Sequence, residues 1–267
     1  MLKVHLMIQN FFRLSALKNY LTLLLVCLIV SCDSENANDC FQTAGKIIET
    51  QIDVEPFTKI RTETDVKLLI KQGEQQKVVI KTGANLLNDI EIKVENGRLI
   101  ARNNNSCNLV RDYGITQIIV TTPDLQELRN GSGGEIESDG VLKFASLILQ
   151  SNTNPPAPTD IKKSGNFILD LDVQTLRIRA NGKSVFYLKG NADLLDVRFD
   201  DEAPRLESQD LIADEVQVFH RGANKMIVNP QHRISGTITG TGDVIAVNHP
   251  PVVEVEEVFK GRLIFQE

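Results

Sequence analysis

"NGKSVFYLKGNADLLDVRFDD", residues 181–201, opens on one turn pair, Asn181-Gly182, and closes on another, Asp200-Asp201. Between them the apolar residues follow no helical spacing; Phe186 lies near the first turn and Val197 near the second. The same layout recurs on both sides. Turn clusters at Asn130-Gly131, Asn152, Arg221-Gly222 and Thr241-Gly242 continue the series in steps of about 20 residues. An apolar residue follows the turns at Ile136, Phe186, Leu206, Met226 and Ala246. Another precedes them at Leu128, Leu149, Ile178, Val197, Val218 and Ile238. One interval, 152 to 181, is longer and holds "NPPAPTD" (154–160), read as a loop inserted into one repeat.

Side chains that recur at one repeat distance can stack, so that each rung buries the face of its neighbour. The expected fold is all-β: a parallel β-helix or β-solenoid with rungs of ~20 residues over 121–267. A β-sandwich remains the rival, because it also places strands and turns about 8–12 residues apart.

Upstream, residues 46–120 read as strands leading into the repeat. "TDVKLLIKQG" (64–73) alternates Val66, Leu68 and Ile70. "DIEIKVENGRLIA" (89–101) is the clearest local signal. Ile90, Ile92 and Val94 alternate with charges, and Asn96-Gly97 supplies a two-residue type I′ hairpin turn. "TQIIVTTPDL" (116–125) is a further strand closed by Pro123, and "GANLLNDI" (83–90) reads as a single helical turn.

The glycine-rich "RNGSGGEIESDG" (129–140) invites a phosphate-cradle reading. Such a cradle needs its glycines between a strand and a helix N-terminus. Here a strand-like, acidic stretch follows, in which Glu135, Glu137 and Asp139 repel phosphate. The glycines are read as a corner of the repeat that needs positive φ.

The 267 residues, 42% hydrophobic and 24% charged, suffice for a sizeable core. Trp is absent and the net charge is −6, which argues against a nucleic-acid partner. Lys3, Arg13 and Lys18 precede "LTLLLVCLIV" (21–30), an apolar run with the length of a signal-peptide h-region and too short to span a bilayer. Met7 offers an alternative start. "LIVSC" (28–32) then resembles a bacterial lipobox, with Cys32 as the lipidated first residue of the mature chain. Residues 1–31 are read as a lipoprotein signal peptide, 32–45 as a tether and 46–267 as one domain. Cleavage removes three basic residues and no acidic one, so the mature chain is more acidic still. No later long apolar run exists, which leaves the lipid as the only membrane anchor. Of four cysteines, Cys27 leaves with the signal and Cys32 takes the lipid. Cys40 and Cys107 remain as an even pair in an oxidising compartment, either disulfide-bonded or as two free thiols.

Signals for chemistry are weak. His220, His232 and His249 lack metal-ligand spacing and are expected at the surface. Asp200, Asp201 and Glu202 form an acidic turn without the loop that calcium requires. Asp170 with Asp172, or Asp193 with Asp196, could form the carboxylate pair of a polysaccharide-acting β-helix enzyme, but neither pair has an evident acid/base partner. Tyr113 and Tyr187 are the available platforms for a sugar. No catalytic residue, cofactor or metal is assigned.

The order of "CFQTAGKIIE", "VEPFTKI", "VKLLIKQGEQQKVVIKTGANLLNDIEIKVENGRLIA", "SCN", "VTTPDLQEL", "GSGGEI" and "ISGTITGTGDVIAVNHP" resembles the putative auto-transporter adhesin, head GIN domain family of Bacteroidetes envelope lipoproteins. The resemblance spans about residues 40–265. It implies a β-solenoid with recurrent Ser-Gly-Ser-Gly turns, kept here at Gly131–Gly134 and only echoed at Ser164-Gly165, Ser235-Gly236 and Gly240–Gly242. It also implies an envelope location and surface binding or adhesion. The "CF…GKII" start and the Asn-rich "SCN" occur together in a subset of that family, which supports a Cys40–Cys107 disulfide. The expected protein is non-catalytic and lipid-anchored to the outer membrane, with a glycan or an envelope or host protein as partner. The alternatives are a periplasm-facing structural or sensory module and a polysaccharide-acting enzyme. Exposed strand edges at the ends of a solenoid also leave pairing into dimers open.

Overall fold

A computed structural model describes residues 38–105, 107–154 and 161–266. The segment read as a signal peptide, Cys32 and residues 155–160 of the stretch read as an inserted loop lie outside the described residues. Eight strands come first: β1 (Ile47–Ile52), β2 (Lys59–Glu63), β3 (Lys67–Gln72), β4 (Lys77–Gly83), β5 (Ile90–Glu95), β6 (Arg98–Asn103), β7 (Gln117–Thr122) and β8 (Glu127–Gly131). Five long strands follow: β9 (Ile136–Ser151), β10 (Phe167–Ala180), β11 (Val185–Phe199), β12 (Arg205–His220) and β13 (Met226–Ile238). Three short ones close the chain: β14 (Val244–Ala246), β15 (Val252–Glu257) and β16 (Leu263–Phe265). The fold is all-β, with one 16-stranded sheet and a single 3₁₀ turn at Ala84–Asp89 among the described residues.

Consecutive long strands pair in parallel, which a sandwich of antiparallel hairpins does not do. Phe167 lies opposite Phe186, then Leu206, Met226, Val244 and Leu263, in steps of 18 to 20 residues. Ile136 lies opposite Phe167, a step of 31, so this interval is the longer one. Two expected ladder members fall elsewhere. The last repeats are shorter by two residues, so Gly236 and Val244 occupy the places assigned to Ile238 and Ala246.

Each long strand bends without leaving extended conformation. In β12, Leu206 and Ser208 point inward, then Gln209 and Asp210 are both exposed. Leu211 and Ala213 are inside, Asp214 and Glu215 are both exposed, and Val216, Val218 and His220 are inside again. Two successive outward side chains reverse the phase of the alternation and turn the apolar stripe around one core. The second bend is in register across repeats, with Thr175 opposite Leu194 and Leu194 opposite Glu215.

The core is therefore a set of ladders. Leu176, Leu195, Val216 and Ile234 form one, all fully buried. Phe167 stacks on Phe186 at 4.7 Å between ring centroids, and Phe199 follows at 6.0 Å from Phe186. His220 continues this series edge-on to Phe199 at 5.8 Å and is wholly buried, contrary to the expected surface position. Its Nε2 lies 2.7 Å from the Asn224 carbonyl oxygen. Burial holds its pKa below the ordinary value, while the Asn224 carbonyl and the Asp243 charge oppose the shift. Inward residues of this strand are chosen by parity, not by residue type, which is why a histidine could not be placed from composition.

The upstream strands join the same pairing out of chain order. β2 lies between β6 and β8, and β3 between β7 and β9, all in parallel. Antiparallel strands finish this end of the sheet, β4 on β7 and then β1 on β4. β5 pairs with β6 through the expected hairpin, with φ of 51° at Asn96 and 70° at Gly97.

Candidate functional site

The corners between strands matter more than the strand faces. The "GSGG" corner joins β8 to β9, but its glycines do not take the positive φ expected of them. Space is the reason for them. A Cβ on Gly134 would lie 2.4 Å from the Val66 carbonyl oxygen, and one on Gly131 would lie 2.7 Å from that of Thr62. Ser132, fully buried, donates from Oγ to the Val66 carbonyl at 2.7 Å and accepts from the Gly134 amide at 2.8 Å. Asn130 donates from Nδ2 to the Gly134 carbonyl at 3.0 Å. The bond to Val66 clamps the corner onto the one below, Thr64-Asp65, where both residues are left-handed with φ of 36° and 48°. For a β-branched residue such as Thr64 that conformation is a genuine outlier.

A loop built from residues 104–116 flanks these corners. The Cys40–Cys107 disulfide ties it to the start of the described chain, across a sequence separation of 67. Arg111 fixes its inner side. Its guanidinium donates to the carbonyls of Asp39 at 2.8 Å, Gln42 at 2.9 Å and Cys107 at 3.0 Å, and also to the Asn105 side chain. Leu109, Val110 and Tyr113 face outward, and Tyr113 is 79% exposed. The Tyr113 hydroxyl donates back to the Asn108 carbonyl at 3.3 Å. Gly114 lets the loop turn back to β3, since its φ of 69° is left-handed and glycine adopts it without strain.

Between the loop and the corners run two open clefts that share Asp65, Tyr113 and Gly114. The larger, about 360 Å³, is lined further by Lys67, Glu135 and Asn166 over a floor of Gly133 and Gly134. The smaller, about 200 Å³, is lined by Asn103, Asn105, Asn108, Arg111 and Asp112. Asp65 holds Lys162 at 2.9 Å. Neither Lys67 nor Glu135 enters an ion pair among the described residues. The walls thus offer charged acceptors, a charged donor, amides and one aromatic face.

The carboxylates singled out from the sequence are placed differently. Asp170 pairs with Lys189 at 3.1 Å and Asp172 with Lys143 at 3.2 Å, each across to a neighbouring strand of the outer face. Asp196 is gripped by Arg179, and a bend in the strand separates it from Asp193. Asp200 pairs with Arg198 at 2.6 Å, and Asp201 accepts the Glu202 amide at 2.9 Å. The three histidines do not meet. His232 pairs with Asp214 on the surface, His249 packs on Phe265, and His220 is in the core. No group of three metal-type ligands occurs among the described residues. No described helix is long and apolar enough to cross a membrane. Asp65 and Lys67 were missed at the sequence level. Their recruitment depends on β3 lying beside β9, a pairing between residues far apart in the chain.

The family model described as "Putative auto-transporter adhesin, head GIN domain" matches residues 56–250. No curated protein matches the sequence. Among solved structures, a putative adhesin from Bacteroides fragilis is similar at a TM-score of 0.73 and 18% identity, covering 84% of this chain and 99% of that one. A putative adhesin from Parabacteroides merdae is similar at 0.57 and 14% identity, covering 84% and 98%. A putative lipid binding protein from Parabacteroides distasonis is similar at 0.50 and 14% identity, covering 83% and 98%. At these identities the likeness is one of fold.

Proposed function

Because the chain belongs to the family described as "Putative auto-transporter adhesin, head GIN domain", we propose that it is a non-catalytic binding protein of the bacterial cell envelope. In this reading lipid on Cys32 anchors it to the outer membrane, the strands wind as a β-solenoid, and the corner clefts take the ligand. The observation that carries the reading is the division of polar groups. The strand-face carboxylates Asp170, Asp172 and Asp196 are occupied by lysines and arginines of adjacent repeats. Lys67, Glu135 and Tyr113 instead line an open cleft. Acid–base catalysis on a sugar would need two available carboxylates facing one bond, and the outer strand faces offer ion-paired ones. The in-register steps of 18 to 20 residues support the solenoid. The separation of six residues between Cys32 and Asn38 allows at most about 20 Å of extended chain, so the anchor would hold the disulfide end close to the bilayer.

Metabolic labelling tests the anchor. Cells fed an alkyne-tagged fatty acid should yield tagged chain in the outer-membrane fraction. The Cys32→Ser variant should be untagged and appear in the soluble fraction. Equal tagging of the Cys32→Ser variant would remove the anchor from the reading.

A further inference from the structure

We propose that the paired clefts are a saccharide site with two subsites divided by Tyr113, selective for neutral glycans. The inference rests on the binding reading above and names its ligand class. Tyr113 presents most of its ring to solvent while its hydroxyl is turned back onto the loop at Asn108. What it offers a ligand is therefore an apolar face, the surface on which the C–H side of a pyranose ring packs. The opposite requirement of a sugar is a ring of hydroxyls, each both donor and acceptor. Asp65 and Glu135 supply acceptors, Lys67 supplies three donors, and Asn166 adds its Nδ2, its Oδ1 being held by the Val185 amide at 3.0 Å.

The floor matters as much as the walls. A Cβ on Gly133 would sit in ordinary contact with Lys162 Cδ at 3.7 Å and Asp65 Oδ1 at 3.8 Å, so a large side chain there would crowd the Asp65 edge of the cleft. The bare backbone leaves room for a ring to lie flat beside Tyr113. The larger cleft, about 360 Å³, falls within the ~300–1,000 Å³ usual for small-molecule sites. The smaller one continues past Tyr113 along Asn103, Asn105 and Asn108; the Asn105 and Asn108 amides are engaged by Gln42, Asp89 and Arg111, which leaves Asn103 and the Asp112 carboxylate to meet further hydroxyls. A ligand of at least two linked sugars would span both.

Charge selects among glycans. The carboxylates Asp65, Asp112 and Glu135 are matched around the clefts by Lys67, Arg111 and the Lys162 that holds Asp65, so neither sign prevails. Sulfated or uronate-rich chains would find no net positive field to draw them in, whereas neutral hexose units need none.

The test uses the disulfide-intact chain on an array of neutral hexose oligosaccharides with uronate and sulfated counterparts, followed by calorimetric titration of the bound members. Neutral oligosaccharides should bind. Tyr113→Ala and Gly133→Leu should each weaken binding at least about tenfold, and Glu135→Gln by several-fold. Unchanged thermal unfolding of the three variants separates a lost site from a lost fold. Binding confined to acidic glycans, or binding indifferent to Tyr113→Ala and Gly133→Leu, would overturn the inference. No glycan bound by a chain shown to face outward on cells would also overturn it, while leaving surface binding of another ligand class in place.

Discussion

Phe186→Ala lowers the unfolding free energy by about 3–5 kcal/mol, the usual cost of removing a buried phenylalanine. Phe186 is fully buried and lies in register between Phe167 and Leu206. Its ring is stacked on Phe167 at 4.7 Å with 10° between planes. Alanine forfeits the transfer energy of the ring and the stacking with Phe167, worth about 0.5–1.5 kcal/mol beyond area alone. The hole cannot collapse easily, because the backbone on both sides is held by parallel pairing to β10 and β12. A stack of repeats gains stability from each repeat's contacts with its neighbours, so a gap in one ladder weakens two interfaces together. Against a total stability of about 5–15 kcal/mol the loss is severe. Urea denaturation followed by far-UV circular dichroism measures it. Tyr187→Ala, one residue away and pointing outward at 44% exposure, is the control and should cost less than about 1 kcal/mol. Equal losses for the two variants would contradict the ladder.

The second large effect comes from the Cys40–Cys107 bridge. Replacing both cysteines with serine should cost about 4 kcal/mol, from the chain-entropy model for a loop of this length, since the bridged residues are 67 positions apart. The loss has a local component too. The bridge positions Asp39 and Gln42, whose carbonyls accept from Arg111, so the loop over 104–116 loses both its covalent and its polar fastening. In native conditions the double variant should be cut by protease within 108–114 before the long strands are cut. Denaturation midpoints with and without reductant, and mass spectrometry of the first fragments, read both components. A reduced chain with an unchanged midpoint and an intact loop would contradict the assignment.

The repeat was legible in the sequence because its turns carry marked dipeptides, such as Asn181-Gly182 and Arg221-Gly222, and because most stacked positions are apolar, with His220 and Gly236 as exceptions. The Asn96-Gly97 hairpin was legible for the reason that only residues tolerant of positive φ fill such a turn. The bends inside the long strands were largely not legible. They arise from two successive outward side chains, and at Asp214-Glu215 no turn dipeptide marks them, whereas in β9 Asp139-Gly140 does, with φ of 87° at the glycine. The order β6–β2–β8 was hidden as well, because alternation names a face but not a partner strand. That hidden order assembles the cleft. Asp65 and Lys67 meet Glu135 only because β3 pairs with β9, and Tyr113 arrives on a loop fixed by a disulfide and an arginine.

Protease shaving of intact cells tests most directly whether this is a surface-binding protein. Peptides from 46–267 are read by mass spectrometry beside a known periplasmic protein as control. The account predicts that these peptides are released while the control stays intact, and that the exposed 108–114 loop is among the accessible sites when the disulfide is reduced. Peptides that appear only after the envelope is opened would contradict surface adhesion and turn the search towards a periplasmic partner.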